Sequence, residues 1–119
     1  MDWMLSKERP LCPQICEQLC VQIALGKIAP CQRLPSVRET AVAAGVNPNT
    51  VQHAFEQLEQ QGVVYSVRGS GWFAAQDIRQ AKTVLQALLA QKTAEYFTAM
   101  QTLGLSAQEV KTYVKEWTE

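Results

Sequence analysis

Histidine is almost absent from this chain. His53 is the only one in 119 residues, and no Ser, Cys or Asp stands at a catalytic spacing from it. Nucleophilic triads and histidine-built metal sites therefore find little support. The glycine-rich cradles that hold nucleotide phosphates are missing as well, so the chain reads as a non-enzyme without a cofactor. No apolar run reaches the roughly 18 residues that a bilayer-spanning helix needs, and the opening MDWMLSKERP lacks the basic-then-apolar layout of a secretory signal. The expected address is the cytoplasm, with no membrane partner.

Net charge is missing too: 11 Lys and Arg balance 11 Asp and Glu. Proteins that bind nucleic acid usually carry a basic excess. Splitting the chain does not restore one, since residues 1–76 set Lys7, Arg9, Lys27, Arg33, Arg38 and Arg68 against Asp2, Glu8, Glu17, Glu39, Glu56 and Glu59. Any DNA-binding reading must rest on geometry. Position helps, because Arg33 and Arg68 lie on either side of the stretch Leu34–Gly62 and Arg38 near its start, while Glu56 and Glu59 fall late in it.

A tight C-x-x-C pair is also lacking. Cys12, Cys16, Cys20 and Cys31 all lie in the first third, and the first three follow an i, i+4, i+8 spacing beside the stripe Ile15, Leu19, Ile23. In a cytosolic chain an even cysteine count does not imply disulfides, and zinc would need a fourth ligand. The sequence favours small hydrophobes at a core margin over a metal or redox site.

What is present is enough apolar matter for a core, 47% of residues, with 18% charged. The length suits one compact domain plus a modest appendage. A first helix is predicted from Pro13 to about Leu25, closed by Gly26. The loop KIAPCQRLP follows, with Arg33-Leu34 a candidate short strand. Ser36-Val37-Arg38-Glu39 is an S-x-x-E capping box that starts a second helix ending at Gly45. Asn47 caps a third, with Pro48 at its first position, an apolar stripe of Val51, Phe55 and Leu58, and an end at Gly62. Then the period changes: VVYSV and WFAA read as strands joined by the turn RGSG. Two short helices joined by a tight turn and followed by a hairpin make a winged helix-turn-helix.

Beyond this, Asp77 is expected to cap a long helix to about Leu103, with Ile78, Ala81, Leu85, Leu88, Leu89, Tyr96, Phe97, Met100 and Leu103 as its stripe. At about 1.5 Å per residue it would extend roughly 40 Å. Gly104 breaks it, and a second capping box, Ser106 to Glu109, opens a last helix carrying Val110, Tyr113, Val114 and Trp117. These two helices hold more apolar surface than one helical hairpin buries, so a partner is expected.

In a helix-turn-helix the second helix presents its N-terminal residues to base edges in the major groove. Here these are Asn49, Thr50, Gln52 and His53, following the cap Asn47. Asn and Gln pair with adenine, and a Thr methyl meets a thymine methyl. Asn-Pro-Asn-Thr is equally a good helix start in its own right. Arg68, Gly69, Ser70 and Gly71 place a cation and exposed amides at the hairpin tip, suited to phosphate or a minor groove. A plain turn explains the glycines but not the Arg. Arg38 is placed to reach the backbone or to form a surface ion pair, and Ser36 combines capping with a phosphate contact.

The segments LPSVRE, GVNPNTV, FEQLEQQG and RGSGWF, in that order within about residues 10–75, resemble the N-terminal winged helix-turn-helix of the GntR family of bacterial transcription regulators. The short tail resembles the YtrA branch. The resemblance implies that this tail dimerises and that no large effector domain follows. It also implies that Arg38, Asn49, Thr50 and Gln52 face DNA and that Arg68 and Gly69 enter the minor groove. Many members carry Arg where this chain has Pro48 and Gln52, and Cys31 stands where the family usually has Gly.

Together these observations predict a mainly α fold with a small β-wing, divided into a DNA-binding domain at 1–76 and a two-helix dimerisation tail at 77–119. The expected function is a homodimeric repressor on a pseudo-palindromic double-stranded DNA operator. Leu85, Leu88, Leu89, Tyr96, Phe97, Met100, Val110, Val114 and Trp117 are the expected dimer contacts, with room for an unidentified small-molecule effector. The alternatives are a cysteine-based redox or metal sensor and a winged-helix module that binds protein.

Overall fold

The computed structural model describes all residues, 1–119, in the element order α1 (Leu11–Ala24), α2 (Val37–Ala44), α3 (Pro48–Gln60), β1 (Val64–Val67), β2 (Gly71–Ala74), α4 (Arg79–Thr102) and α5 (Ala107–Thr118). It divides into two compact units, 1–85 and 86–119. No helix is long and apolar enough to cross a membrane.

In the first unit, α1 begins two residues before Pro13, because Pro10 stands at its N-cap and a proline in the first turn forgoes no intrahelical bond. Ile15, Leu19, Cys20 and Ile23 on α1 meet Val51, Ala54, Phe55 and Leu58 on α3 in one core. The four α3 residues recur at spacings of three and four, which is what an apolar helix face requires. Both boxes at helix starts form as read. Ser36 Oγ accepts from the Glu39 amide at 3.0 Å while the Glu39 carboxylate accepts from the Ser36 amide at 3.1 Å. Helix α2 ends on Gly45 at φ +70°, a left-handed cap that favours glycine. Asn47 then caps α3, its Oδ1 accepting from the Asn49 amide at 2.8 Å.

Strands β1 and β2 pair antiparallel with Tyr65 opposite Phe73 and Val67 opposite Gly71. The Arg33-Leu34 strand is present as a single antiparallel bridge from Arg33 to Phe73. The loop before it is stitched to β2 by Cys31 N–H to Ala74 O at 3.0 Å and Leu34 N–H to Trp72 O at 2.8 Å. Cys31 itself sits at φ +63°, the only non-glycine residue with positive φ. Its backbone therefore has the conformation that glycine adopts at least cost.

The N-terminal ten residues, which carry no periodic signal, lie against α1. The buried Gln14 carboxamide accepts from Ser6 N–H at 2.7 Å and donates to the Ser6 carbonyl at 2.7 Å. One turn later Gln18 holds Met4 through the same two groups, accepting at 3.1 Å and donating at 2.8 Å. Trp3 and Leu5 are thereby packed on the core.

Asp77 sits just before α4, accepting from the Arg79 amide at 3.0 Å and pairing with its guanidinium at 2.6 Å. Ala81 is buried, and Ile78, Val84 and Leu85 pack on the core of the first unit. The winged-helix unit thus includes the first turns of α4. In the second unit, Ser106 and Glu109 form the expected box at the start of α5. Val110 is buried there, whereas Leu103 is 79% and Trp117 82% exposed.

Candidate nucleic-acid interface

The first turn of α3 contains no acidic residue, so the partial positive charge of its free amides is not offset there. Asn49 and His53 are exposed on this helix, and Thr50 and Gln52 are half-buried. Gln52 Nε2 donates to Glu56 Oε1 at 2.9 Å, which leaves its amide oxygen free and ties up part of a carboxylate. The other α3 acid, Glu59, is engaged as well: it accepts from the Ser66 amide at 2.9 Å and hydroxyl at 2.7 Å. A chain with no net charge keeps its helix start free of anions by placing them late and giving them hydrogen bonds.

The same pair attaches the wing to α3. Below it, Trp72 meets the fully buried Phe55 edge to face, with ring centroids 5.5 Å apart and planes at 72°. Tyr65 stacks on Phe73 across the hairpin at 5.5 Å. With its base fixed in this way, the hairpin carries Arg68, Gly69 and Ser70 at an exposed tip, closed by the Ser70 N–H to Val67 O bond at 2.9 Å. Gly69 at φ +79° and Gly71 at φ +118° adopt backbone conformations that side chains disfavour.

Ser36 and Arg38 are both exposed at the start of α2, where the Ser36 hydroxyl is already engaged as cap. Arg38 forms no ion pair within the chain. The Ser36 amide and hydroxyl hold the Glu39 carboxylate below the usual range, with Arg33 contributing further.

Arg33 is the residue that sequence reasoning left out of the site. Its guanidinium packs on Gly71, where an added Cβ would lie 3.4 Å from Nε. It therefore stands beside the wing base and, through Glu39, the start of α2. The signal was available: Leu34 is buried, and neighbouring residues of an extended segment point to opposite faces.

Among the expected dimer contacts, Leu89 and Tyr96 are exposed at 51% and 44%, and Trp117 more so. Leu88, Phe97, Met100 and Val114 are half-buried. Two have neighbours in their own chain already: Leu85 packs on the winged-helix core and Val110 is fully buried.

Residues 11–74 match the family model for bacterial regulatory proteins of the gntR family. The chain is 31% identical over 119 residues to the uncharacterized HTH-type transcriptional regulator YhcF of Bacillus subtilis (strain 168), covering 100% of this chain and 98% of that protein. It is 29% identical to the HTH-type transcriptional repressor YtrA of the same organism, over 90% of this chain and 83% of YtrA, so the likeness includes the tail. A GntR family transcriptional regulator from Listeria monocytogenes superposes with a TM-score of 0.81 at 29% identity, covering 94% of this chain and 98% of that one. The AraR DNA-binding domain, in complex with operator ORX1, matches 63% of this chain and 86% of its own at 36% identity and a TM-score of 0.53. The chain belongs to the GntR family of bacterial regulatory proteins, and it is a DNA-binding transcriptional regulator rather than an enzyme.

Proposed function

We propose that this protein is a cytoplasmic, homodimeric repressor that reads a pseudo-palindromic operator. The carrying observation is the start of α3: Asn49, Thr50, Gln52 and His53 follow an Asn47 cap, with every acid of the helix placed later and hydrogen-bonded. Neutral amides at these positions suit adenine edges in the major groove. Arg38 and Ser36 take phosphates beside that groove, and Arg68 with the amides of Gly69, Ser70 and Gly71 takes the adjacent minor groove. Dimerisation through residues 77–119 sets the half-site spacing at about one helical turn or a simple multiple. The exposed Leu89, Tyr96 and Trp117 support a partner for that tail, because a small chain rarely leaves such a set open to water. Repression follows the named activity of the similar YtrA.

A gel-shift of the reduced protein on its own upstream DNA, titrated with salt and competitor, tests this. A specific shift with a steep salt slope is the expected outcome. Equal affinity for unrelated DNA, or a shift that salt does not weaken, overturns sequence-specific reading.

A further inference from the structure

Of the α1 thiols, Cys20 is buried in the core and Cys12 and Cys16 pack on its margin, as their spacing suggests. Cys12 Sγ and Cys16 Sγ converge on one acceptor, the Gln57 side-chain oxygen, at 3.7 and 3.6 Å. Cys16 also approaches the Ala54 carbonyl at 3.4 Å. Both acceptors belong to α3, the helix whose other end faces DNA. Cys12 and Cys16 lie one helical turn apart on α1, and both are half-buried.

Two thiols without a further partner select a narrow class of ligand. No group of three His, Cys, Asp or Glu side chains is placed to hold a metal, which excludes the four-coordinate site that zinc requires. Paired sulfur ligands instead suit a soft monovalent cation that accepts two donors. We propose that Cys12 and Cys16 form a two-thiolate site for Cu(I), and that its occupation alters the seat of α3 on α1. On binding, each thiol releases one proton and each sulfur forms one bond to the ion, so Cu(I) and two thiols give an anionic bis-thiolate and two protons with no change of oxidation state. The hydrogen bonds to Gln57 and Ala54 are lost with those protons. This coupling rests on the DNA-binding role of α3, whereas the site itself does not.

The test uses the full-length reduced protein without oxygen, with Cu(I) presented as the complex of a chromophoric chelator. One Cu(I) per chain withdrawn from the chelator by the wild type and by Cys31→Ser, and none by Cys12→Ser or Cys16→Ser, is the expected result. Circular dichroism establishes that the serine variants remain folded. No withdrawal by the folded wild type, or undiminished withdrawal by the Cys12→Ser/Cys16→Ser double variant, overturns the site. On operator DNA, Cu(I) is expected to change wild-type affinity by about 5-fold or more and leave Cys16→Ser unchanged. Stoichiometric binding with unaltered DNA affinity overturns the coupling.

Discussion

The Glu59 carboxylate, in the last turn of α3, accepts hydrogen bonds from both the amide and the hydroxyl of Ser66 in β1. It links α3, the second helix of the helix-turn-helix, to the strand that carries the wing. Both groups are exposed, so Glu59→Ala is expected to cost under about 1 kcal/mol in global stability. Hydrogen exchange at the Ser66 amide should nevertheless accelerate, and operator affinity should fall as the wing loosens. By contrast Phe55→Ala removes the ring beneath Trp72 and should cost about 3–5 kcal/mol in a denaturant titration. Unchanged Ser66 exchange in Glu59→Ala would show that Glu59 does not hold the wing.

Arg38→Ala and Arg68→Ala should weaken binding to all sequences and each reduce the salt slope by about one, as loss of a phosphate contact requires. Asn49→Ala and Gln52→Ala should instead cost about 1–3 kcal/mol on the operator and little on random DNA. Fluorescence anisotropy over a salt series separates the two patterns, and a steady slope in Arg38→Ala would remove that residue from the phosphate contacts.

Backbone conformation gives two opposite predictions. Cys31 occupies φ +63°, so Cys31→Gly should raise stability by up to about 1 kcal/mol, the strain relieved being partly offset by the greater freedom of unfolded glycine. Gly71 lies at φ +118° against the Arg33 guanidinium. Gly71→Ala should therefore cost about 1–3 kcal/mol, and adding Arg33→Ala should recover only the steric part. Thermal melts of the three variants measure these effects.

The two capping boxes set an acid limit. Hydrogen bonds from Ser36 and Ser106, backbone amide first and hydroxyl second, lower the Glu39 and Glu109 carboxylates from 4.5. Since the folded value lies below the unfolded one, the contribution is complete above about pH 4.5 and is lost as pH falls through the folded values. Glu39→Gln/Glu109→Gln should flatten this part of the stability curve between pH 5 and pH 2, read from urea midpoints, because its amides do not titrate there. A double variant with the same acid profile as wild type would remove the boxes from that loss.

Replacing Leu89 and Trp117 by Asp should convert a tail-mediated dimer to monomer in sedimentation velocity, with the winged-helix spectrum retained. Operator affinity should then fall sharply, because each half-site contact becomes an independent event. A monomeric wild type at micromolar concentration would overturn the dimer proposal.

The helices, their caps and the hairpin were legible because each depends on residues adjacent in the chain. Ser36 and Glu39 are three apart, Asn47 and Asn49 two apart, and Gly45 fixes its own φ. The family resemblance ran through the same local motifs. The exposure of Asn49, His53, Arg68, Gly69 and Ser70 was legible for the same reason, since a capped helix start and a glycine turn announce it. What could not be read were polar partners without a period: Arg33 on Gly71, Glu59 on Ser66, and Gln14 and Gln18 on the N-terminal segment.

The sequence by itself determined the secondary structure, the order of its elements and the capped, acid-free start of α3, since hydrogen bonding within a turn and apolar periodicity act over a few residues. Tertiary structure decided where the neutral charge balance falls, which thiols share an acceptor 41 and 45 residues away, and that Val110 turns inward while Trp117 stays in water. These outcomes depend on which surfaces meet, and apolar or polar character alone does not specify a neighbour.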